Sequence, residues 1–272
     1  MSRIGIIAGG GKLPLKLIDA CKHDNKDYFV LALEGQADKK SFKNDPHKFV
    51  KLGAINESIK ILKSENVDTI VMAGAVKRPG IFEIKLDKRA ISIFSKLSNA
   101  DIGDNKLLVA ISEELEQEGF KIIGAHNIDA NIITPEGLLT KTAPSDENKT
   151  DIEYGIKVVK QTGALDIGQA AIIQQNIVLG VEAIEGTDAL IERCKKLKRK
   201  GGYGGVLVKG AKPQQDKRLD LPTIGMRTLE NAHKSGLEGI AIEAGGSILL
   251  DRDEVIARAD KLGMFILGFK TS

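Results

Sequence analysis

Apolar and polar positions in the first half of the chain follow an order of strands alternating with helices. Short apolar runs predict strands at residues 3–8, 28–33, 69–73 and 120–123, and apolar residues at helical spacing predict helices at 13–22, 55–64 and 106–118. Strands that alternate with helices predict a parallel sheet with right-handed crossovers. We therefore expect an N-terminal Rossmann-like domain.

The second half repeats this alternation with one difference. After a short helix, strands are predicted at residues 170–174, 177–181, 205–209, 239–242 and 264–267, and helices at 187–198, 226–234 and 252–261. The sequence Ile-Gln-Gln-Asn-Ile at 173–177 resembles a tight hairpin, so this sheet is expected to be mixed rather than purely parallel.

A polar stretch separates the two halves. Residues 134–150, TPEGLLTKTAPSDENKT, are rich in Pro, Thr, Gly and charge, which is typical of a connection between domains. The expected α/β organisation is a Rossmann-like nucleotide-binding domain at 1–133, a linker at 134–150 and a catalytic α/β domain with a mixed sheet at 151–272.

Composition narrows the class of protein. The 272 residues are 42% hydrophobic and 28% charged, with a net charge of only +3, which argues against a nucleic-acid-binding protein. No secretory signal pattern begins the sequence, and no apolar run approaches the roughly 20 residues of a membrane span. Cys21 and Cys194 form no metal or redox spacing. These features predict a cytoplasmic protein that is at most peripheral to a membrane.

A glycine-rich turn follows the first predicted strand, where a helix begins. It consists of Gly9, Gly10, Gly11, Lys12, Leu13 and Pro14. Glycines at such a position let backbone N–H groups approach a phosphate at the helix N-terminus. Glu34 at the end of the second strand suits a nicotinamide cofactor, but Pro14 replaces the third glycine of that fingerprint. Nucleotide binding and a turn that binds nothing both remain open.

The segment from Lys212 to Gly225 is dense in charge, with the sequence KPQQDKRLDLPTIG. Asp216 and Asp220 lie four residues apart, a spacing that can hold a hard divalent cation. Nearby cations such as Arg218 can neutralise phosphate oxygens, so the segment suits phosphoryl chemistry. A solvated surface loop is an equally good explanation of the spacing.

Further polar residues follow predicted strands, where open α/β sheets bind ligands. Lys77 and Arg78 follow the third strand, Thr187 lies beyond the strand at 177–181, and Glu243 follows the strand at 239–242. A helix-capping role explains Thr187 equally well.

Several longer motifs together resemble the LpxI family of UDP-2,3-diacylglucosamine pyrophosphatases. They are IGIIAGGGKLPL, AGAVKRP, GDNKLLVAISEELEQEGFKIIGAH, VLGVEAIEGTDALIERC, KPQQDKRLDLPTIGMRT and GIAIEAGGSILLDRDEVIARADKLGMFILG, which run nearly end to end. The resemblance implies a two-domain, Mg²⁺-assisted hydrolase of lipid A assembly. It would cleave the pyrophosphate of UDP-2,3-diacylglucosamine by attack of water on the sugar-side phosphorus, releasing UMP and 2,3-diacylglucosamine 1-phosphate (lipid X).

The resemblance also implies roles for individual residues. Asp216 and Asp220 would bind Mg²⁺ or orient water, with Asp220 the residue whose loss abolishes turnover. Lys212 and Arg218 would steady the diphosphate. The implied substrate-binding residues are Gly9, Gly10, Gly11, Leu13, Pro14, Lys77, Arg78, Thr187, Gln215, Thr223 and Glu243.

The implied partners are the lipid substrate, lipid X and, transiently, the cytoplasmic surface of the inner membrane. A homodimer is the default expectation only because dimers are the commonest oligomers. Two alternatives of other classes stay open: a nicotinamide-dependent oxidoreductase, and a carrier that binds a nucleotide sugar or lipid without changing it.

Overall fold

The computed structural model describes residues 2–76, 85–96 and 104–271. The chain forms two compact units. The N-terminal unit comprises Met1–Ala130 together with the short segment Asp216–Asp220, and the C-terminal unit comprises Asn131–Gln215 and Leu221–Ser272. The charge-dense segment therefore leaves the C-terminal unit and contributes five residues to the N-terminal one.

The N-terminal unit contains a five-stranded sheet. Its strands are β1 (Arg3–Ala8), β2 (Tyr28–Leu33), β3 (His47–Val50), β4 (Val67–Ala73) and β5 (Lys121–Ile123), and its helices are α1 (Leu13–His23), α2 (Ile55–Ser64), α3 (Lys88–Lys96) and α4 (Asp104–Gln117). The strand order is β3-β2-β1-β4-β5, and every neighbouring pair is parallel. This arrangement confirms the predicted Rossmann-like sheet.

The order of the strands determines where this unit can bind a ligand. β1 connects to β2 on one side, and β4 returns to the other side of β1, so the direction of winding reverses between β1 and β4. Open α/β sheets bind ligands beyond the carboxyl ends of the strands at such a reversal. The glycine-rich turn after β1 lies at this point.

Apolar packing holds the segment 216–220 in the N-terminal unit. Leu219 is 5% exposed and joins a core cluster with Leu31 of β2, Ile70 of β4, Leu62 of α2 and Leu115 of α4. Burying a leucine side chain of this kind contributes about 2 kcal/mol. The charged neighbours of Leu219 are thereby fixed at the surface of this unit.

The C-terminal unit contains a six-stranded sheet and a two-stranded one. Its strands are β6 (Gly137–Leu138), β7 (Ala170–Gln174), β8 (Ile177–Val181), β9 (Val206–Lys209), β10 (Thr223–Ile224), β11 (Gly239–Glu243), β12 (Ile248–Leu249) and β13 (Phe265–Phe269), and its helices are α5 (Asp146–Ala164), α6 (Thr187–Cys194), α7 (Met226–Lys234) and α8 (Arg252–Leu262). The order is β6-β13-β11-β9-β7-β8, with β10 and β12 paired separately.

This larger sheet is mixed, as the sequence predicted. β9, β11 and β13 are parallel, whereas β6 and β7 are antiparallel to their neighbours. Alternate residues of β9 enter different clusters: Leu207 packs in one with residues of α6, α7 and α8, and Val206 and Val208 pack in one with residues of α5. Helices therefore cover both faces of the sheet.

Helix α5 is longer than the short helix that the sequence predicted. It has 19 residues and begins after Ser145, whose hydroxyl accepts a hydrogen bond from the Asn148 N–H while the Asn148 side chain accepts one from the Ser145 N–H. This capping box satisfies two N–H groups at the start of the helix. Residues 134–150, predicted as a connection, contain β6 and the first turn of α5.

The hairpin of β7 and β8 confirms the prediction made from Gln175 and Asn176. Both residues have positive φ, 54° and 57°, as a two-residue hairpin turn of type I′ requires. Asp151 of α5 is fully buried, and its carboxylate accepts hydrogen bonds from both turn N–H groups, at 3.1 and 2.7 Å. Burial raises the pKa of the Asp151 carboxyl.

Among the helices of the described ranges, none combines the length and the apolar character needed to cross a bilayer.

Candidate functional site

The glycine-rich turn packs against the loop that follows β4. The Gly10 N–H donates to the Ala75 carbonyl at 2.7 Å, the Ala75 N–H donates back at 2.9 Å, and the Gly9 N–H donates to the Ala73 carbonyl at 2.8 Å. A methyl group at Gly9 would lie 2.6 Å from the Ala75 oxygen, and one at Gly74 would lie 2.5 Å from the Gly10 oxygen. Close contact between two backbones therefore explains these glycines.

This packing changes the roles expected of Gly9 and Gly10. The Gly9 amide donates to the last residue of β4 and the Gly10 amide to the loop that follows it, so both shape the turn. Gly11 differs, because it has a φ of +90° and open space where a side chain would be. It lies just before Leu13, the first residue of α1, and the buried Pro14. The start of α1 lies beside Gly11, and a helix N-terminus in general favours an anionic group.

The segment 216–220 forms a turn closed by its own charges. The Leu219 and Asp220 N–H groups both donate to the Asp216 carbonyl. The Arg218 guanidinium binds the Asp216 carboxylate through Nε and Nη2 at 2.8–3.2 Å, and its Nη1 donates to Glu116 of α4 at 2.8 Å. Hydrogen bonding from Arg218 lowers the pKa of the Asp216 carboxyl. Sequence reasoning missed Glu116, because nothing in the helix motif singles it out.

These contacts limit how the two aspartates can hold a metal ion. Within residues 2–76, 85–96 and 104–271, no three His, Cys, Asp or Glu side chains come together as a metal-binding group. Both oxygens of Asp216 accept hydrogen bonds from Arg218, whereas Asp220 is exposed on the same turn. Mg²⁺ in phosphate-binding enzymes commonly takes one or two carboxylates and completes its shell with phosphates and water. The residues fit that kind of site and not a closed protein cage.

The start of the charged segment belongs to the C-terminal unit. Gln215 closes a turn by accepting from the Lys212 N–H and donating its own N–H to the Lys212 carbonyl. The Lys212 ammonium pairs with Asp166 at 2.5 Å. Lys212 and Arg218, the two cations expected at the diphosphate, are thus both paired with carboxylates of their own unit.

Three charged residues gather at the carboxyl edge of the C-terminal sheet. They are Glu182 directly after β8, Lys209 at the end of β9 and Glu243 at the end of β11, and all three are buried. β8, β9 and β11 run in the same direction, so their carboxyl ends meet at one edge. Buried charges at this edge are the expected features of a ligand site in an α/β sheet.

Lys209 connects two of the predicted substrate-binding residues. Its Nζ donates to the Thr187 hydroxyl at 2.7 Å and to the Thr223 carbonyl at 3.3 Å. The Thr187 hydroxyl in turn donates to Glu182 at 2.7 Å. Lys209 was not predicted from the sequence. Its place directly after the apolar run Val206–Val208 could have indicated a polar residue at a strand end.

Glu243 lies at the neighbouring strand end, where protein groups occupy its carboxylate. One oxygen accepts from the Ala211 N–H at 2.7 Å and the other from the Thr271 hydroxyl at 3.1 Å. Methyl groups at Gly210 or Gly246 would lie 3.0 or 2.5 Å from these oxygens. In this structure Glu243 therefore joins the loop after β9 to the C-terminal segment.

The predicted site residues thus fall into two groups. The N-terminal unit contains the glycine-rich turn with Leu13 and Pro14, and the turn of Asp216, Arg218 and Asp220. The C-terminal unit contains Lys212, Gln215, Thr187, Thr223 and Glu243, of which Thr187 and Thr223 meet at Lys209. Lys77 and Arg78 lie outside the described residues.

Known proteins match the whole chain. Residues 3–132 match the model of the LpxI N-terminal domain, and residues 135–267 match that of the LpxI C-terminal domain. A protein of Caulobacter vibrioides named UDP-2,3-diacylglucosamine pyrophosphatase LpxI is 40% identical, over 98% of both chains.

Solved structures give much weaker matches. The UDP-glucose 4-epimerase of Thermus thermophilus is 11% identical with a TM-score of 0.34, covering 98% of this chain and 86% of its own. The UDP-N-acetylglucosamine 4-epimerase of Bacillus cereus is 12% identical with a TM-score of 0.33, covering 99% and 88%. Similarities this low support no conclusion about function. The two domain matches and the full-length relative are much stronger, and they show that the chain belongs to the LpxI family.

Proposed function

We propose that this protein hydrolyses the pyrophosphate bond of UDP-2,3-diacylglucosamine and releases UMP and 2,3-diacylglucosamine 1-phosphate. The observation that carries the proposal is the 40% identity, over nearly the full length of both chains, to a relative named for this activity. The fold is compatible with it, because an anchored turn presents Asp220 at the surface of a nucleotide-binding type of sheet.

In the proposed reaction, a water oxygen forms a bond to the sugar-side phosphorus as the bond from that phosphorus to the bridging oxygen breaks. UMP leaves with the bridging oxygen, and the attacking water loses a proton. We assign the orientation of this water to Asp220, which is exposed on the turn, and we assign Asp216 to the pair with Arg218. The restricted backbone at Leu221, which precedes Pro222, limits the positions that Asp220 can take.

Arg218 has a positioning role in this proposal. Its guanidinium joins Asp216 to Glu116, so it fixes the turn that presents Asp220 to the substrate. Lys212, paired with Asp166, would reach a phosphate only by exchanging that carboxylate for the ligand. The uridine nucleotide is assigned to the start of α1, next to Gly11.

Mg²⁺ assistance is part of the proposal. Asp220 would hold the ion, and Asp216 would contribute only on release from Arg218. When bound, Mg²⁺ would neutralise the charge that develops on the diphosphate oxygens.

We also propose transient contact with the membrane that carries the diacylated substrate. Leu165, Ile167 and Ile184 are exposed by 73%, 45% and 105%, and they lie in the loops just before β7 and just after β8. Exposed aliphatic side chains at a strand-end loop suit insertion among lipid headgroups. Flotation with anionic liposomes tests this, and equal flotation of the Ile184→Ser variant would contradict it.

The experiment for the main proposal is incubation of the purified protein with UDP-2,3-diacylglucosamine, with products identified by mass spectrometry. We expect UMP and the 1-phosphate in equal amounts. Binding of the intact lipid without turnover would favour the carrier. Binding of NAD with neither turnover nor lipid binding would favour the oxidoreductase suggested by Glu34 and the glycine-rich turn.

A further inference from the structure

We propose that Lys209 is a substrate-binding residue that contacts the sugar-side phosphate. The inference rests on the proposed function, because that function supplies the phosphate-bearing ligand. Lys209 lies outside the motifs shared with the family and was not among the residues predicted to bind the substrate.

Burial is the first reason. Lys209 is 5% exposed, and removing an ammonium group from water is costly unless a counter-charge or hydrogen bonds replace the water. A methionine or leucine would fill the end of an apolar strand at lower cost. A lysine at this position is therefore explained better by polar and charged partners at the strand end than by packing.

The partners of the ammonium are the second reason. Among the described residues its two acceptors, the Thr187 hydroxyl and the Thr223 carbonyl, are both neutral oxygens. An ammonium group has three protons to donate, so these acceptors leave one N–H direction for a further partner. A phosphate oxygen would supply that third acceptor and a charge partner in addition to the Glu182 carboxylate, which Thr187 links to the ammonium.

Glu182 determines how Thr187 meets the ammonium. The Thr187 hydroxyl has one proton, which it donates to Glu182, so a lone pair of the same oxygen accepts from Lys209. Glu182 is itself fixed, because it accepts from the Gln169 N–H at 3.2 Å and its own N–H donates to the Ala170 carbonyl. Glu182 is thus a positioning residue that acts through Thr187.

The surroundings are open enough for a ligand. Thr187 and Thr223 are half-buried, so solvent reaches the edge of the sheet beside the ammonium. Gln169 flanks Lys209, since its main-chain carbonyl accepts from the Gly210 N–H, and its side-chain Oε1 is buried without a partner among the described residues. An acceptor of this kind suits a hydroxyl or amide donor on the sugar.

The test compares two ligands that differ only in the phosphate: 2,3-diacylglucosamine 1-phosphate and 2,3-diacylglucosamine. Affinities are measured by titration calorimetry in detergent for the full-length wild type and for Lys209→Met. We expect the substitution to weaken binding of the phosphorylated lipid about 10- to 100-fold, as loss of a charged hydrogen bond does. Affinity for the dephosphorylated lipid should not change.

Three further variants separate binding from structure. Lys209→Arg should restore part of the affinity, because it keeps the charge. Lys157→Met, at an exposed lysine of α5, should behave as the wild type. If Lys209→Met does not fold, Thr187→Val replaces it, and the same selective loss, about tenfold, is expected.

Equal weakening for both lipids would overturn the proposal, because it would indicate a role in shape only. Unchanged affinity for the phosphorylated lipid would overturn it as well, and so would a wild type that does not distinguish the two lipids. The proposed function is separable from this result: a wild type that turns over substrate while Lys209→Met binds normally refutes the role of Lys209 alone. A wild type without turnover that shows the phosphate-selective loss refutes the hydrolase alone.

Discussion

Arg218 and Asp216 form a charged pair within one turn of chain, with the guanidinium Nη2 2.8 Å and Nε 3.1 Å from the carboxylate Oδ2. The same guanidinium reaches Glu116 of α4, so it connects the turn to the body of the N-terminal unit. Arg218, which the sequence led us to expect at the diphosphate, therefore fixes the turn that carries Asp220.

Replacing Arg218 tests this positioning role. We expect Arg218→Ala to lower kcat about 10- to 100-fold with little change in KM, because the turn loses its tie while the substrate contacts remain. Arg218→Lys should recover only a small part, since an ammonium cannot make the same side-on pair. Steady-state kinetics of UMP release measure both. A rise in KM alone would instead indicate direct contact with the substrate.

The pair also predicts a pH dependence. Because Arg218 lowers the pKa of the Asp216 carboxyl, the pair stabilises the fold above the ordinary aspartate pKa of about 3.9. That contribution is lost as the pH falls through the lower folded-state value. Carboxyl ¹³C NMR should show Asp216 titrating below the ordinary range in the wild type and returning to it in Arg218→Ala. An unchanged titration in the variant would contradict the account.

Substitutions at two glycines of positive φ distinguish the free-energy cost of a steric clash from that of backbone strain. A methyl group at Gly35, with φ +75°, meets no atom within 4 Å, whereas one at Gly74, with φ +93°, lies 2.5 Å from the Gly10 carbonyl oxygen. We expect Gly35→Ala to cost about 1–2 kcal/mol of unfolding free energy. Gly74→Ala should cost about 1–3 kcal/mol more, because the loops must move apart. Urea unfolding measures both, and equal losses would contradict the close packing of the loops.

Asp151 should be important for stability and not for binding. Asp151→Ala leaves two buried N–H groups of the Gln175–Asn176 turn without acceptors, which costs on the order of 3 kcal/mol. Asp146→Ala, at an exposed aspartate of the same helix, is the matched control and should change the stability far less, because its ion pair is solvated. Thermal unfolding distinguishes them. Equal stability of the two variants would show that the turn does not depend on this carboxylate.

Local patterns were enough to predict much of the fold. β7, β8 and their turn were predicted because two apolar runs flank a short polar turn. β3 was missed, since His47–Val50 is short and has no alternating pattern long enough to recognise. Its place in the sheet comes from pairing with β2.

The candidate site could be predicted only in part, because its contacts join distant residues. Asp216 and Asp220 were visible as neighbours in the sequence. Lys209 was not, because its acceptors are 22 and 14 residues away and only the folded strands bring them together. In the same way, the pairing of Arg218 with Glu116 spans 102 residues.

The most direct test of the central claim is hydrolysis of UDP-2,3-diacylglucosamine by the wild type and by Asp220→Ala, each with Mg²⁺ and with a chelator. Asp253→Ala, at an exposed aspartate of α8, is the control. We predict that UMP and lipid X form with Mg²⁺, that the chelator suppresses both, and that Asp220→Ala is slower by about 10²–10³-fold while the control is normal. Turnover by folded Asp220→Ala at the wild-type rate would contradict the account.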